Sequence, residues 1–133
     1  MLLHQDTTEK IIQAFYKVYN ALGFGFLEKV YVNSLFLEMI NMGLFCEKQR
    51  QIKVYYNGNL VGEYFADIMV ENCVIIEVKA AECLVEEHEL QLINYLKATN
   101  IEVGLLLNFG KKPEFRRKIF TNDRKNLLSQ LSV

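Results

Sequence analysis

The pair Asn57-Gly58 separates two segments that have the composition of β-strands, 51–56 and 60–70. Asparagine and glycine both tolerate a positive φ, which the two-residue turns of β-hairpins require. A third segment rich in valine and isoleucine, 73–79, follows after another short turn. Consecutive strands joined by such short turns run antiparallel. The sequence therefore predicts an antiparallel sheet at the centre of the chain.

Two helical patterns precede this sheet. Asp6 or Thr7 is placed to cap the first helix, because apolar residues then recur at helical spacing up to Leu22. The segment Gly23-Phe24-Gly25 interrupts the pattern, and a second helix is predicted from there to the neighbourhood of Gly43.

The part of the chain after the sheet returns to a helical pattern at 86–98, followed by a fourth apolar strand at 102–108. A helical crossover allows that strand to lie parallel to one of the others. Segments 115–120 and 122–131 predict a short edge strand and a terminal helix. The order α-α-β-β-β-α-β predicts an α/β fold, a mixed β-sheet flanked by helices. A length of 133 residues fits a single domain over residues 1–133.

The composition excludes several classes of protein. Hydrophobic residues make up 51% and charged residues 23% of the chain, as in ordinary globular proteins. No apolar run reaches the length of a membrane span, and the N-terminus lacks the pattern of a signal peptide. The chain has an odd number of cysteines, Cys46, Cys73 and Cys83, and they lack the close spacing of metal-binding pairs such as C-x-x-C. We therefore expect a cytoplasmic protein with no membrane partner.

The charge distribution is uneven along the chain. The segment 111–125 contains seven basic and two acidic residues, a net charge of +5, so a total of −1 leaves −6 for the rest. A basic edge beside an acidic body fits a surface that contacts phosphate groups next to a cation site. The alternative is a solvated terminal segment, which charge alone favours.

Three charged residues lie within apolar strands. Asp67 follows Phe65-Ala66, and Glu77 and Lys79 lie at the end of the valine-rich third strand. Residues two apart on a strand project to one face, so Glu77 and Lys79 point the same way. Ionised groups in a buried strand need a charged partner or a metal. Two carboxylates on adjacent strands suit Mg²⁺, with water and phosphate completing its coordination. The alternative is a structural salt bridge between Lys79 and one of the acids.

A shared cation site constrains the register of the second and third strands. A two-residue loop at Glu71-Asn72 would turn Glu77 to the opposite face from Asp67. We therefore predict a three-residue loop, Glu71-Asn72-Cys73, which places Asp67 opposite Glu77, or else a bulge near Asp67.

The segment Gly25-Phe26-Leu27-Glu28-Lys29-Val30-Tyr31 resembles the G-x-x-E-x-x-Y signature of a family of small bacterial proteins. The similarity continues, in the family's order, through 54–58, 62–67, 74–80, 88–96 and 104–109, and covers about residues 7 to 120. That family is assigned to the PD-(D/E)xK nuclease superfamily. The resemblance implies a restriction-endonuclease-like PD-(D/E)xK core.

The resemblance also implies roles for individual residues. Asp67, Glu77 and Lys79 match the superfamily's D…(D/E)-x-K triad, with Ala66 standing where the named proline would be. Glu28 matches a helical acid that often completes the metal shell. Its alternative role is that of an acid favoured at a helix N-terminus.

Three further residues enter through the same resemblance. Gln91 and Tyr95 match a Q-x-x-x-Y element that lies beside the active site in related exonucleases, although an ordinary polar helix face explains them equally well. The main-chain carbonyl of Val78 is a further expected metal ligand, with Asp67, Glu77 and Glu28. The implied cofactor is Mg²⁺ or Mn²⁺, and the implied partner is nucleic acid.

The leading functional hypothesis is a metal-dependent phosphodiesterase, a nuclease acting on DNA or RNA. Asp67 and Glu77 would hold the metal, and Lys79 would orient the attacking water. The alternative is a non-catalytic nucleic-acid-binding or protein-interaction module on a nuclease-like fold. The sequence leaves open the choice between DNA and RNA, between endonuclease and exonuclease action, and between monomer and homodimer.

Overall fold

The computed structural model describes residues 2–125. This part of the chain forms three α-helices, five β-strands and one short 3-10 helix, in the order expected from the sequence. They are α1 Gln5–Leu22, α2 Glu28–Asn41, β1 Cys46–Tyr56, β2 Asn59–Val70, β3 Val74–Lys79, α3 Glu86–Lys97, β4 Val103–Phe109, β5 Pro113–Ile119 and the 3-10 helix Asn122–Arg124. The terminal helix expected at 122–131 is wrong for its first residues, because the 3-10 helix ends at Arg124 and Lys125 is extended; residues 126–131 lie outside the described part of the chain.

The five strands form one mixed sheet in the order β1-β2-β3-β4-β5. The pairs β1·β2, β2·β3 and β4·β5 are antiparallel, and β3·β4 is parallel. The parallel pair follows from α3, which carries the chain back across the sheet between β3 and β4. The α/β fold class expected from the sequence, with helices flanking a mixed sheet, is confirmed.

Helices cover both faces of the sheet, which divides the core into two parts. On one face, Phe15 of α1 and Leu35 of α2 pack among apolar residues of β2, β3 and β4. On the other face, Leu92 and Leu96 of α3 pack against Ile75 and its neighbours. Each of these side chains is fully buried, which stabilises the fold by about 1.5–3 kcal/mol apiece before the loss of conformational entropy.

The starts of β1 and α1 differ from the sequence expectation. Strand β1 begins at Cys46, five residues earlier than the predicted segment. Its first part, Glu47-Lys48-Gln49-Arg50, is polar because β1 is an edge strand with exposed side chains there, so it lacks the apolar alternation of a strand. Helix α1 begins at Gln5, with His4 as the N-cap residue at φ 53°. The predicted cap at Asp6 or Thr7 is wrong, because both residues lie inside the first turn.

The loop between β2 and β3 has the predicted length. Val70 pairs with Val74, so the loop contains Glu71, Asn72 and Cys73. Glu71 and Asn72 both have φ 52°, the left-handed conformation that a tight turn requires. The same register, extended beyond the pair Ile68 and Ile76, places Asp67 opposite Glu77. The three-residue loop is confirmed.

The alternation of side chains along β2 breaks near Asp67. Ala66 and Met69 both belong to the core beneath α3, although residues three apart on a regular strand point to opposite faces. Ala66 pairs with Arg50 and Ile68 pairs with Lys48, but the intervening Gln49 takes φ 56° and forms no pair with Asp67. The outer half of the β1–β2 hairpin thus turns Ile52 and Tyr64 toward α3. At this irregularity the backbone N–H of Asp67 donates to Glu77 Oε2.

Candidate active site

Asp67 and Glu77 interlock where the pairing between β2 and β3 ends. The backbone N–H of Asp67 donates to Glu77 Oε2 at 2.9 Å, and the N–H of Val78 donates to Asp67 Oδ2 at 2.8 Å. These two side-chain acceptors replace the backbone bonds of the ladder, which is regular only up to Ile68 and Ile76. Glu77 is 4% exposed and Asp67 is half-buried. The structure therefore brings the two predicted acids together on one face of the sheet.

Burial and mutual repulsion make the acid pair costly to ionise. Desolvation, and then the negative charge of Asp67, raises the pKa of Glu77 to about 8. Burial also raises the pKa of Asp67, opposed by the hydrogen bond from Val78. The positive charge of Lys79 lowers the pKa of both acids, but its effect is smaller than that of burial. Near neutral pH the pair therefore retains a proton that a cation could replace.

The donor set fits a hard divalent cation. Two carboxylates converge, and hydrogen bonds hold one oxygen of each in place, so the second oxygen of each can coordinate an ion. Mg²⁺ in proteins is commonly bound by one or two carboxylates, with water and substrate phosphate completing the octahedron. Between residues 2 and 125 there is no cluster of three His, Cys, Asp or Glu side chains suited to a metal. The two carboxylates match the small number of protein ligands that Mg²⁺ takes.

Lys79, Gln91 and Tyr95 form a hydrogen-bonded chain beside the acid pair. Lys79 Nζ donates to Gln91 Oε1 at 3.2 Å, and Gln91 Nε2 donates to the Tyr95 hydroxyl at 3.0 Å. Burial, and then the charge of Glu77, raises the pKa of Tyr95 to about 12, so its hydroxyl stays protonated. Gln91 and Tyr95 lie four residues apart on one face of α3. The structure places both residues of the Q-x-x-x-Y element at the predicted lysine.

Glu28 lies at the edge of this site. It is the first residue of α2 and is exposed to solvent. Its negative charge raises the pKa of both Asp67 and Glu77, so it lies within electrostatic range of the pair. It does not join them in a three-carboxylate cluster within the described residues. A role for Glu28 in the metal shell stays a prediction, as does a role for the Val78 carbonyl.

Tyr31 has a structural position in the G-x-x-E-x-x-Y segment. Its hydroxyl donates to the carbonyl of Gly23 at 2.7 Å and accepts from the N–H of Phe26 at 3.2 Å. Its ring is fully buried and stacks on Phe109 with centroids 4.3 Å apart. Gly25 takes φ 112°, which a residue with a side chain rarely adopts. Tyr31 and Gly25 thus fix the connection between α1 and α2, and this connection sets the start of α2 at Glu28.

Asn108 is a positioning residue that the sequence analysis missed. It is fully buried in β4, where Nδ2 donates to the carbonyl of Ala81 at 3.0 Å and Oδ1 accepts from the Ala81 N–H at 2.9 Å. A side chain on Gly110 would bring its Cβ to 2.5 Å from the same carbonyl. Both residues therefore hold the backbone just after Lys79. The available signal was an asparagine within the apolar run 105–109, since a buried amide must find partners.

His88 completes the start of α3 and does not contact the acid pair. Its Nδ1 accepts a hydrogen bond from the N–H of Val85 at 3.2 Å, which satisfies a donor at the helix N-terminus.

Much of the basic segment is occupied by contacts within the fold. Arg116 pairs with Glu114 at 3.5 Å, and Lys118 pairs with Glu89 of α3. Lys125 Nζ donates to the carbonyl of Ile101 at 2.7 Å. These contacts favour a structural role for the segment over a surface dedicated to phosphate.

Comparison with known proteins gives one family. The model of the PD-(D/E)XK nuclease superfamily matches residues 5–118, from the start of α1 almost to the end of β5. No curated protein and no solved structure matches the chain. Within residues 2–125, none of the helices has the length and apolar character needed to cross a membrane.

Proposed function

Since the chain belongs to the PD-(D/E)XK nuclease superfamily, we propose that it is a metal-dependent nuclease with Asp67, Glu77 and Lys79 at its active site. Its mixed sheet flanked by helices is the restriction-endonuclease-like fold of that superfamily. The observation that carries the proposal is the interlocked pair of acids, Glu77 buried and Asp67 half-buried, with the pKa of Glu77 raised to about 8. Such a pair is stabilised by a cation, and Mg²⁺ or Mn²⁺ is the ion we expect.

Each residue has a separate task in this proposal. Asp67 and Glu77 would hold the ion, with the Val78 carbonyl and, through water, Glu28 as further ligands. A bound Mg²⁺ supplies charge neutralisation at the phosphate and lowers the pKa of water. Lys79 Nζ, held by Gln91, would orient the attacking water or a phosphate oxygen. Tyr95 keeps the Gln91 amide in the orientation that presents its oxygen to Lys79.

The proposed reaction is hydrolysis of a phosphodiester. Water attacks phosphorus in line with the departing 3′ oxygen, which takes up a proton, and the product carries a 5′-phosphate. The substrate is DNA or RNA. We further propose that the chain is a single nuclease-like domain of the G-x-x-E-x-x-Y family. The described cysteines are all free thiols, which supports the proposed cytoplasmic location.

A cleavage screen tests this function. Single-stranded, duplex and branched substrates would be incubated with Mg²⁺ or Mn²⁺ and the natural protein, Asp67→Asn or Glu77→Gln. Both substitutions keep the oxygen that accepts the backbone hydrogen bond but remove the charge that holds a cation. We expect each to lower the cleavage rate by at least about 100-fold.

The matched control is Glu63→Gln, which removes an exposed acid from the same strand as Asp67. We expect it to cleave like the natural protein. Full metal-dependent cleavage by Asp67→Asn would reject the proposed site. Absence of cleavage by the natural protein on every substrate, with nucleic-acid binding intact, would favour the non-catalytic module.

A further inference from the structure

We propose that the groove between the outer β1–β2 hairpin and α3 binds an unpaired nucleobase, so that the substrate is a single-stranded segment of nucleic acid. This inference rests on the proposed nuclease function, because it assigns the substrate class of the same site. We call this feature the hairpin groove. It has a volume of about 820 Å³, and Tyr56, Tyr64, Leu90, Gln91, Asn94 and Tyr95 are among the residues that line it. A volume of this size accommodates a small organic ligand such as a nucleotide.

The hairpin groove is continuous with the proposed active site. Gln91 and Tyr95 line the groove, and the same two side chains connect to Lys79 through hydrogen bonds of 3.2 and 3.0 Å. If the phosphate of a nucleotide lies at the acid pair, the base of that nucleotide or of the adjacent one would therefore lie at the groove. The irregularity of β2 at Asp67 turns the outer half of the hairpin toward α3, which places the groove beside the acid pair.

The groove presents aromatic rings to solvent. Tyr64 is 49% exposed and Tyr56 is 65% exposed, and the ring of Tyr64 lies 5.7 Å from that of Tyr95. Leu90 of α3 adds an exposed apolar side chain on the opposite wall. Nucleobases stack on such rings with a favourable free energy that does not depend on the sequence. Tyr64 is therefore the expected stacking residue, and Tyr56 extends the surface toward the hairpin tip.

The polar groups of the groove suit a base better than a phosphate backbone. Asn94 carries an exposed side-chain amide, which can donate to and accept from the edge of a base, whereas the Gln91 amide is hydrogen-bonded to Lys79 and Tyr95. Glu87 and Lys97 also line the groove, and their charges cancel. A surface that binds the phosphate backbone would carry several lysine or arginine residues and no acidic residues. The groove therefore recognises the base, and the cation site is left to bind the phosphate.

Stacking on a protein ring requires a base whose face is free. In a duplex both faces of each base are covered by neighbouring pairs, and a base must be flipped out before a side chain can stack on it. Single strands, loops and splayed ends present such bases without that cost. The groove therefore favours unpaired over paired substrate.

Fluorescence anisotropy without metal separates this inference from the proposed chemistry, because it requires no cleavage. The probes are labelled oligothymidine and oligouridine of about 12 nucleotides and a hairpin duplex of matching length. We expect both single strands to bind at least about tenfold more tightly than the duplex. Tyr64→Leu keeps an apolar side chain but removes the ring, and it is expected to weaken single-strand binding roughly 5- to 100-fold.

The matched control is Phe65→Leu. Phe65 is the next residue of β2, is 50% exposed like Tyr64, and does not line the groove. We expect its single-strand affinity to equal that of the natural protein. Tyr56→Leu, at the exposed hairpin tip, is a second test variant if Tyr64→Leu has an altered melting temperature. Preference for the duplex, or equal loss of affinity in Phe65→Leu and Tyr64→Leu, would overturn the inference.

The same variants distinguish other occupants of the groove. If Tyr64→Leu converts a dimer into a monomer in sedimentation velocity and leaves oligonucleotide affinity unchanged, the groove is a contact between two copies and the inference is wrong. Tyr64-dependent binding of single strands without any metal-dependent cleavage would support the groove while rejecting the nuclease function. Metal-dependent cleavage that is equal on duplex and single strand and independent of Tyr64 would support the nuclease function while rejecting the role of the groove.

Discussion

The backbone N–H of Asp67 donates to the Glu77 carboxylate, and the N–H of Val78 donates to the Asp67 carboxylate. Each acid therefore has a structural role as a hydrogen-bond acceptor and an electrostatic role as a charge. Substitution by the corresponding amide retains an acceptor oxygen and removes the charge. Because Glu77 is almost fully buried, its ionisation is opposed by desolvation as well as by the charge of Asp67. This site therefore opposes folding when it is charged and free of metal.

The first prediction concerns pH and stability without metal. The pKa of Glu77 is raised from its ordinary value of 4.5 to about 8 in the folded protein. Between these values the folded state binds more protons than the unfolded state, so the free energy of unfolding falls as pH rises. We expect the free energy of unfolding, measured with urea in the presence of EDTA, to fall by up to about a few kcal/mol between pH 5 and pH 8.

Glu77→Gln supplies the comparison for this pH series. The amide cannot ionise, so most of the decline is expected to disappear, and the variant should be at least as stable as the natural protein at pH 8. Part of this gain is offset because Lys79 loses a nearby negative charge. Parallel pH profiles for the two proteins would show that another group causes the decline.

The second prediction concerns the hydrogen-bonded chain from Lys79 to Tyr95. Tyr95→Phe removes the hydroxyl that accepts from Gln91 but keeps the ring, so the amide loses its fixed orientation toward Lys79. Groups that orient an active-site residue typically contribute about 10- to 100-fold. We expect single-turnover cleavage to slow about tenfold, with little change in substrate affinity.

Tyr16→Phe is the control for that substitution, since Tyr16 lies on α1, outside the hydrogen-bonded chain of Lys79, Gln91 and Tyr95. A rate in Tyr95→Phe equal to that of the natural protein would leave the hydroxyl without a positioning role.

Among the elements, the strands around Asp67 show what a sequence can and cannot predict. The hairpin at Asn57-Gly58 and the loop 71–73 follow from local turn chemistry and from the requirement that both acids share a face. The left-handed Gln49 and the change of face between Ala66 and Met69 have no local signal. They depend on contacts between the hairpin and α3, which are distant in sequence. The hairpin groove could not be predicted for the same reason.

The third prediction concerns the segment that follows β3. Asn108→Leu replaces a buried amide by an apolar side chain of similar size, and leaves the N–H and carbonyl of Ala81 without their partner. A buried group left without a partner costs about 1–3 kcal/mol, and less where water can reach it, as at the half-buried Ala81. We expect the free energy of unfolding, measured with urea, to fall by at least about 1 kcal/mol as a consequence of the two lost bonds. Asn94→Leu, at an exposed position of α3, should change stability by less than about 0.5 kcal/mol. Equal effects of the two substitutions would contradict a positioning role for Asn108.

At the scale of the whole molecule, one sheet separates two cores and collects the site at one end. Helices α1 and α2 cover one face and bring Glu28 near the acid pair, while α3 covers the other face and supplies Gln91 and Tyr95. The order of elements could be predicted from periodicity and turn residues. The position of Glu28 at the edge, outside a common cluster, depends on how the connection at Gly25 and Tyr31 sets the start of α2. Resemblance alone could not supply that geometry.

The last prediction joins the cation to the stability of the whole fold. An ion that binds the assembled acid pair and not the unfolded chain stabilises the folded state by about 2.7 kcal/mol at a concentration 100 times its dissociation constant. For a domain of this size we expect Mg²⁺ or Mn²⁺ to raise the melting temperature by several degrees. The ion must displace the proton that the raised pKa of Glu77 retains, so the shift should be larger at pH 8 than at pH 6. Glu77→Gln should not respond, and Glu63→Gln should respond like the natural protein. Equal melting shifts in the natural protein and Glu77→Gln would place the cation elsewhere, and the proposed metal site would then be wrong.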